Sequence, residues 1–184
     1  MVDVLLGLQW GDEGKGKIVD FFVKVYDLVA RFQGGPNAGH TLYVNDKKVV
    51  LHQIPYGVFH PGIINLIGNC VVLDPNKKKK ECDTVASFGI DLKKNLFIAE
   101  RTHLILPTHR ALDNAAELSK GNQKIGSTLK GIGPTYMDKT GRNGLRVGDL
   151  LDKNFTTSYI KLRLKHQRLL DNYNFQEDIT AWEE

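Results

Sequence analysis

The sequence predicts an α/β fold: a mainly parallel sheet with flanking helices and a β-hairpin insertion. Three observations predict it. Short apolar runs alternate with stretches of helical periodicity, the pattern of strands joined by crossover helices. A glycine-rich segment, Gly11-Asp12-Glu13-Gly14-Lys15-Gly16-Lys17, lies where the first apolar run gives way to the first helical stretch. Two further short runs, residues 42–44 and 49–52, flank Asn45-Asp46-Lys47-Lys48 at hairpin spacing.

Taken in order, residues 2–8 are short, mostly apolar and followed by glycines, as in a buried parallel strand. Residues 18–25 carry apolar side chains at helical spacing, so a helix is expected to begin near Gly16. Residues 28–32 read as the second strand of a β-loop-α-β opening. The stretch QGGPNAGHT, residues 33–41, is too rich in Gly, Asn and Pro for a regular element. After the hairpin, residues 63–67 and 71–73 read as strand interrupted at Gly68-Asn69. Asp74-Pro75 supplies a helix start, with the acid as N-cap and proline at the first helical position, and Gly89 a stop. Residues 95–99 read as strand and 109–119 as helix. The glycine-rich stretch 121–144 lacks apolar periodicity and reads as a long functional or mobile loop. Residues 149–170 read as mainly helical.

With 184 residues, one domain is expected. No apolar run approaches the roughly 20 residues that cross a bilayer. The acid at Asp3 and the early glycine-rich polar sequence do not fit a signal peptide, so a cytoplasmic location is expected. The net charge of +4 rests partly on the run Lys77 to Lys80, which has no aromatic within it. That run reads as a solvated helix face rather than a nucleic-acid surface. The remaining excess suits an enzyme that handles anionic nucleotides. Cys70 and Cys82 have no metal-ligand spacing and read as reduced thiols.

The segment Gly11 to Lys17 has the spacing of a phosphate-binding loop, glycine, four residues, then glycine-lysine. Glycines let backbone N–H groups turn toward phosphate oxygens, and the helix that follows presents its positive end. Two features depart from an ordinary P-loop NTPase. Ile18 stands where Ser or Thr would ligate Mg²⁺, and Asp12 and Glu13 would repel phosphate unless a metal or a proton transfer required one of them. A modified P-loop NTPase-like loop, in which an acid replaces the hydroxyl, accounts for both.

QWGDEGKGK at residues 9–17, QGGPNAGHT at 33–41, GIGPTYMDK at 131–139 and GLRVGDL at 144–150 resemble four blocks of the adenylosuccinate synthetases, in the family order and spacing. Pro36 stands where many members have His or Asn, and Leu129-Lys130 where they more often have Gly-Arg. The resemblance implies that residues 1–184 are the amino-terminal part of a single larger synthetase domain, without the carboxy-terminal part that binds guanine and aspartate. It implies GTP-dependent joining of L-aspartate to IMP through a 6-phosphoryl intermediate, with Mg²⁺, in a homodimer.

Site residues follow by the same resemblance. Asp12 is the base that takes the purine N1 proton, and His40 is the general acid at the phosphoryl group. Asp12 and the Gly39 carbonyl are Mg²⁺ ligands. Gly11, Asp12, Glu13, Gly14, Lys15, Gly16 and Lys17, with Gly39, His40 and Thr41, hold GTP phosphates. Asp12, Glu13, Gly14, Lys15, Asn37, Ala38, Gly39 and His40 line the IMP pocket. Thr128 bonds the IMP 5′-phosphate, and Arg142 reaches the partner subunit's IMP site. His52, His60, His103, His109 and His166 match no block and read as structural or exposed; no zinc-ligand set is expected. Three rival readings stand beside this one: a hydrolysing P-loop NTPase, a basic nucleic-acid module, and a fragment that folds without catalysing.

Overall fold

Ten consecutive residues form the backbone of the sheet in the computed structural model, which describes residues 1–9, 13–44 and 46–176. This strand, β4 (Ile64–Leu73), lies between β1 (Leu28–Gly34) and β5 (Leu96–Ile98), and both neighbours run parallel to it. The carboxy-terminal end of β4 also pairs in parallel with β6 (His103–Leu104). Parallel strands need coverage on both faces, and β4 accordingly buries Ile67, Val71, Val72 and Leu73. Gly68-Asn69 does not interrupt it. Arg31 pairs with Ile67 and Gln33 with Cys70, so β4 carries one extra residue as a bulge.

The connecting helices are α1 (Lys15–Phe22), α2 (Pro75–Ala86), α3 (Pro107–Ser119), α4 (Ile132–Thr140) and α5 (Phe155–Asn172). α2 begins as expected: the Asp74 side chain accepts from the Lys77 N–H at 3.0 Å, with proline at the first position. The antiparallel hairpin joins β2 (His40–Val44) to β3 (Lys47–Leu51). Its turn is tighter than the four residues expected, because Lys47 and Lys48 already pair in the ladder. Leu42, Val49 and Leu51 of the hairpin pack with Tyr56, Val58 and Val85, forming one core cluster against α2. A second cluster lies beneath β4, where Ile67, Val71 and Leu73 meet Leu104, Leu106, Leu145 and Leu162.

Two further expectations are corrected. Residues 2–8 form no strand, and Val2, Val4, Leu6 and Leu8 are exposed. Apolar character calls for burial but does not specify the sheet edge that would supply it. The stretch 121–144 is not one long loop, since α4 occupies its second half. Gly131 caps that helix with φ 72°, and a Cβ there would lie 2.9 Å from the backbone of His109 and Arg110. Its glycine therefore serves a left-handed cap and close packing rather than mobility. Residues 149–170 are mainly helical, as expected: 148–151 form a 3₁₀ turn and α5 begins at Phe155. Among the described residues, no helix is long and apolar enough to cross a membrane.

Candidate functional site

The first two sequence blocks meet at the start of α1. Gly16 is buried there, and a Cβ on it would come 2.9 Å from the Tyr56 ring and 3.0 Å from the His40 side chain. Only glycine lets the end of the phosphate-loop segment approach His40 this closely. Gly14 precedes the helix at φ 83°, and its carbonyl accepts from Lys17 N–H at 2.9 Å. The Lys15 ammonium lies 2.5 Å from Glu13 Oε2, while Glu13 Oε1 accepts from Gln9 N–H at 3.2 Å. Lys17 is exposed beside them. Gly11 and Asp12 lie outside the described residues.

The second block, residues 33–41, runs from the end of β1 to the start of β2. Asn37 and Gly39 are exposed, whereas Ala38, His40 and Thr41 are half-buried. The backbone is tied at both ends. Arg31 donates to the Gly35 carbonyl at 2.7 Å and also to the His52 carbonyl. The Tyr56 hydroxyl donates to the His40 carbonyl. Burial pushes the Tyr56 phenol up to about 12, so it keeps this donor proton at neutral pH.

The third block is drawn in from the other side. Lys130 Nζ donates to the Asn37 carbonyl at 3.1 Å. Thr128, two residues earlier, is exposed. Its loop is held from α3: Glu117 accepts from Gly126 and Ser127 N–H at 2.6 and 3.2 Å, and Asp113 accepts from Ser127 Oγ and Gly131 N–H at 2.8 and 2.9 Å. The Lys120 ammonium and these N–H groups hold the Glu117 carboxyl down to about 2. Tyr136 on α4 bridges Gly34 N–H and the Cys70 carbonyl at 3.0 and 2.7 Å. Arg142 stands exposed just past the far end of α4, a helix about 13 Å long, and is not drawn in with the others.

The family profile described as adenylosuccinate synthetase matches residues 4–184. The chain belongs to that family. It is 62% identical over 173 residues to adenylosuccinate synthetase of Christiangramia forsetii, covering 94% of this chain and 41% of that one. It is 59% identical over 182 residues to adenylosuccinate synthetase of Parabacteroides distasonis, covering 99% and 43%. Among solved structures, fully ligated adenylosuccinate synthetase from Plasmodium falciparum matches with a TM-score of 0.83 at 39% identity, over 96% of this chain and 41% of that chain. The chain thus spans about two fifths of the length of these synthetases.

Several residues that hold the surroundings of these blocks carry no motif signal: Arg31, Tyr56, Glu81, Asp113 and Glu117. Arg31, Tyr56 and Asp113 act on backbone groups of a block from outside it, whereas Glu81 and Glu117 hold the neighbouring segments 52–54 and 126–127. At Asp138 of the third block, α3, α4 and α5 meet at a buried polar node. Asp138 Oδ2 lies 3.0 Å from His109 Nε2 and 2.7 Å from His166 Nε2, and Asp138 Oδ1 lies 2.5 Å from Lys165 Nζ. The geometry could suit a metal ion, but His109 Nδ1 accepts from Leu106 N–H at 2.9 Å. Its proton then sits on Nε2 and points at Asp138, leaving no lone pair there for a metal. Burial opposes the charge on Asp138, yet bonds from His109, His166 and Lys165 hold its carboxyl well below the usual range. The node is a hydrogen-bonded tie between three helices, with both histidines buried in it.

Proposed function

We propose that the protein carrying this chain joins L-aspartate to IMP at the expense of GTP, and that residues 1–184 are the amino-terminal part of one larger synthetase domain. The observation that carries this reading is the packing of His40 on Gly16. A histidine packed against the start of α1 supports a proton donor beside a loop and helix end suited to nucleotide phosphates.

In this reading the positive end of α1, with Lys15 and Lys17, meets the GTP phosphates. Lys15 exchanges Glu13 for a phosphate oxygen on binding. Asp12 takes the proton from purine N1, which makes the 6-oxygen nucleophilic toward the γ-phosphorus. His40 donates to the phosphoryl oxygens as GDP leaves. The aspartate amine then attacks C6, the C6–O bond breaks, and phosphate departs. Glu13, Gly14, Asn37, Ala38 and Gly39 line the IMP pocket, while Gly11, Gly16 and Thr41 help hold the nucleotide phosphates. Thr128 binds the IMP 5′-phosphate, and Arg142 of one subunit reaches the partner's IMP site in a homodimer.

Asp12 and the Gly39 carbonyl fit Mg²⁺ by donor type, both being hard oxygens, and Gly39 is exposed without a side chain to shield it. When bound there, Mg²⁺ supplies neutralising charge for the nucleotide phosphates. The enzyme is cytoplasmic, and its partners are small anionic molecules.

The test is adenylosuccinate formation from IMP, GTP, Mg²⁺ and aspartate. Full-length protein should turn over, while residues 1–184 alone should show little or none. No product from the full-length protein would overturn the reaction, and near-full turnover by residues 1–184 would overturn the division of labour.

A further inference from the structure

We propose that Glu81 is a positioning residue for the reaction, setting the seat on which Gly39 and His40 rest. The inference builds on the function just proposed, but its physical basis is independent of it.

Glu81 projects from α2 and is 4% exposed. A carboxylate so buried needs strong partners. Its partners are three consecutive backbone groups: Oε1 accepts from His52 N–H at 2.9 Å, and Oε2 from Gln53 and Ile54 N–H, each at 3.0 Å. Successive N–H groups turned toward one anion form a rigid grip, because the backbone itself is what is held. The Gln53 side chain fixes the same segment to the head of α2, accepting from Asp74 N–H at 2.7 Å and donating to the Asp74 carbonyl at 3.0 Å.

Residues 52–54 are more than the end of a hairpin. The His52 ring fills the space above Gly39, so closely that a Cβ on Gly39 would come 2.8 Å from Nε2. One guanidinium, that of Arg31, holds both the His52 carbonyl and the Gly35 carbonyl. Tyr56, two residues beyond the gripped segment, holds the His40 carbonyl. The loop from Gly35 to His40 is therefore tied at its start, in its middle and at its end to residues 52–56, and Glu81 anchors that piece to α2. Each link ends on the main chain of the loop, through the Arg31 guanidinium, the His52 ring or the Tyr56 hydroxyl, so a shift of the seat moves His40 and the Gly39 carbonyl with it. A displacement on the order of 1 Å in a reacting group can cost about 100-fold in rate.

In full-length protein, Glu81→Gln presents an amide where three N–H groups need acceptors. The expected result is a kcat lowered by about 10- to 100-fold with KM for IMP and GTP changed by less than about threefold. Val85→Ala, one helical turn along α2 in the core, serves as the control for plain destabilisation. It should lower the melting temperature comparably and leave kcat near wild type. Should Glu81→Gln fail to fold, Glu81→Asp, which keeps the charge but shortens the reach, should show a smaller loss of the same kind. A kcat within twofold of wild type in Glu81→Gln, or an equal loss in Val85→Ala, overturns the proposal. Amide hydrogen exchange of residues 35–41 provides a readout that needs no turnover. It should quicken in the Glu81 variants and not in Val85→Ala, and unchanged exchange overturns the seat even if the protein proves to catalyse another reaction.

Discussion

Glu81 and Asp138 are both buried carboxylates that draw distant segments together, and they do it by different means. Asp138 meets side chains, two imidazoles and an ammonium, each from a helix. Glu81 is gripped by backbone N–H groups from one turn of chain, with the His52 imidazole 3.4 Å from the same carboxylate. The first arrangement satisfies side chain with side chain and so locks α3, α4 and α5 together with little left for a ligand. The second holds the main chain from behind and leaves Asn37 and Gly39 of the adjoining loop at the surface. A fold that must present groups to a substrate gains from the second kind of hold. A fold that must merely stay shut gains from the first.

That contrast makes separable predictions, and the largest concerns Asp12, at the nucleotide end. In full-length protein Asp12→Asn should lower kcat by about 1,000-fold or more, which corresponds to about 4 kcal/mol of barrier. Nucleotide affinity and thermal stability should stay close to wild type. A variant that keeps most of its kcat would remove Asp12 from the role of base. At the helix end the effect should fall on stability instead. Asp138→Ala leaves two buried imidazoles and Lys165 without their common acceptor, and breaking such a buried network costs about 3–5 kcal/mol. Urea titration should show that loss, while kcat per folded molecule stays near wild type. If Asp138→Ala instead lowers kcat at unchanged stability, the two regions are not distinct in the way described.

The same contrast explains what could be read from sequence. The phosphate loop, the Asp74-Pro75 helix start and the hairpin are local: a few adjacent residues carry the whole physical reason. The Asp138 node is not local, since His109 and His166 lie 29 and 28 residues from it along the chain. No spacing rule joins them. Glu81 follows four lysines and looks like one more charge on a solvated face, although α2 turns it inward. Residues 2–8 err in the opposite direction, because their apolar pattern describes a buried strand and no described strand pairs with them. Lastly, the glycines near α4 have two possible uses, mobility or close packing. Only the position of α3 behind Gly131 decides between them.

Thr128 sharpens the comparison at a smaller scale. Its loop is held by Glu117 and Asp113 from behind, as Glu81 holds residues 52–54, so Thr128→Ala should leave the loop in place. Losing one hydroxyl to an anionic phosphate should raise KM for IMP by about 10- to 100-fold, in line with about 1.5–3 kcal/mol for a bond to a charged group. Thr128→Ser should recover most of it. An unchanged KM in Thr128→Ala would place the IMP phosphate elsewhere.

The smallest effect is a pH dependence that both regions share. Burial lowers the affinity of His109 for a proton in the node, and burial with nearby Lys77 does the same for His52 at the seat. The unfolded chain binds those protons near pH 6.5. Between that value and the lower folded values, acid favours the unfolded state, and stability falls as pH drops from 7 toward 5. Each such imidazole adds at most about 1.4 kcal/mol per pH unit within its window. Asp138 acts in a separate window. Its folded carboxyl titrates below the unfolded value of about 4, so its contribution is intact above that pH and is lost only in stronger acid. Urea midpoints of full-length protein at pH 7, 6, 5 and 3 should decline stepwise already between pH 7 and 5, and His109→Gln should make that decline shallower. A decline confined to below pH 4 would assign the acid sensitivity to Asp138 alone and would mean that neither imidazole is held neutral by its surroundings.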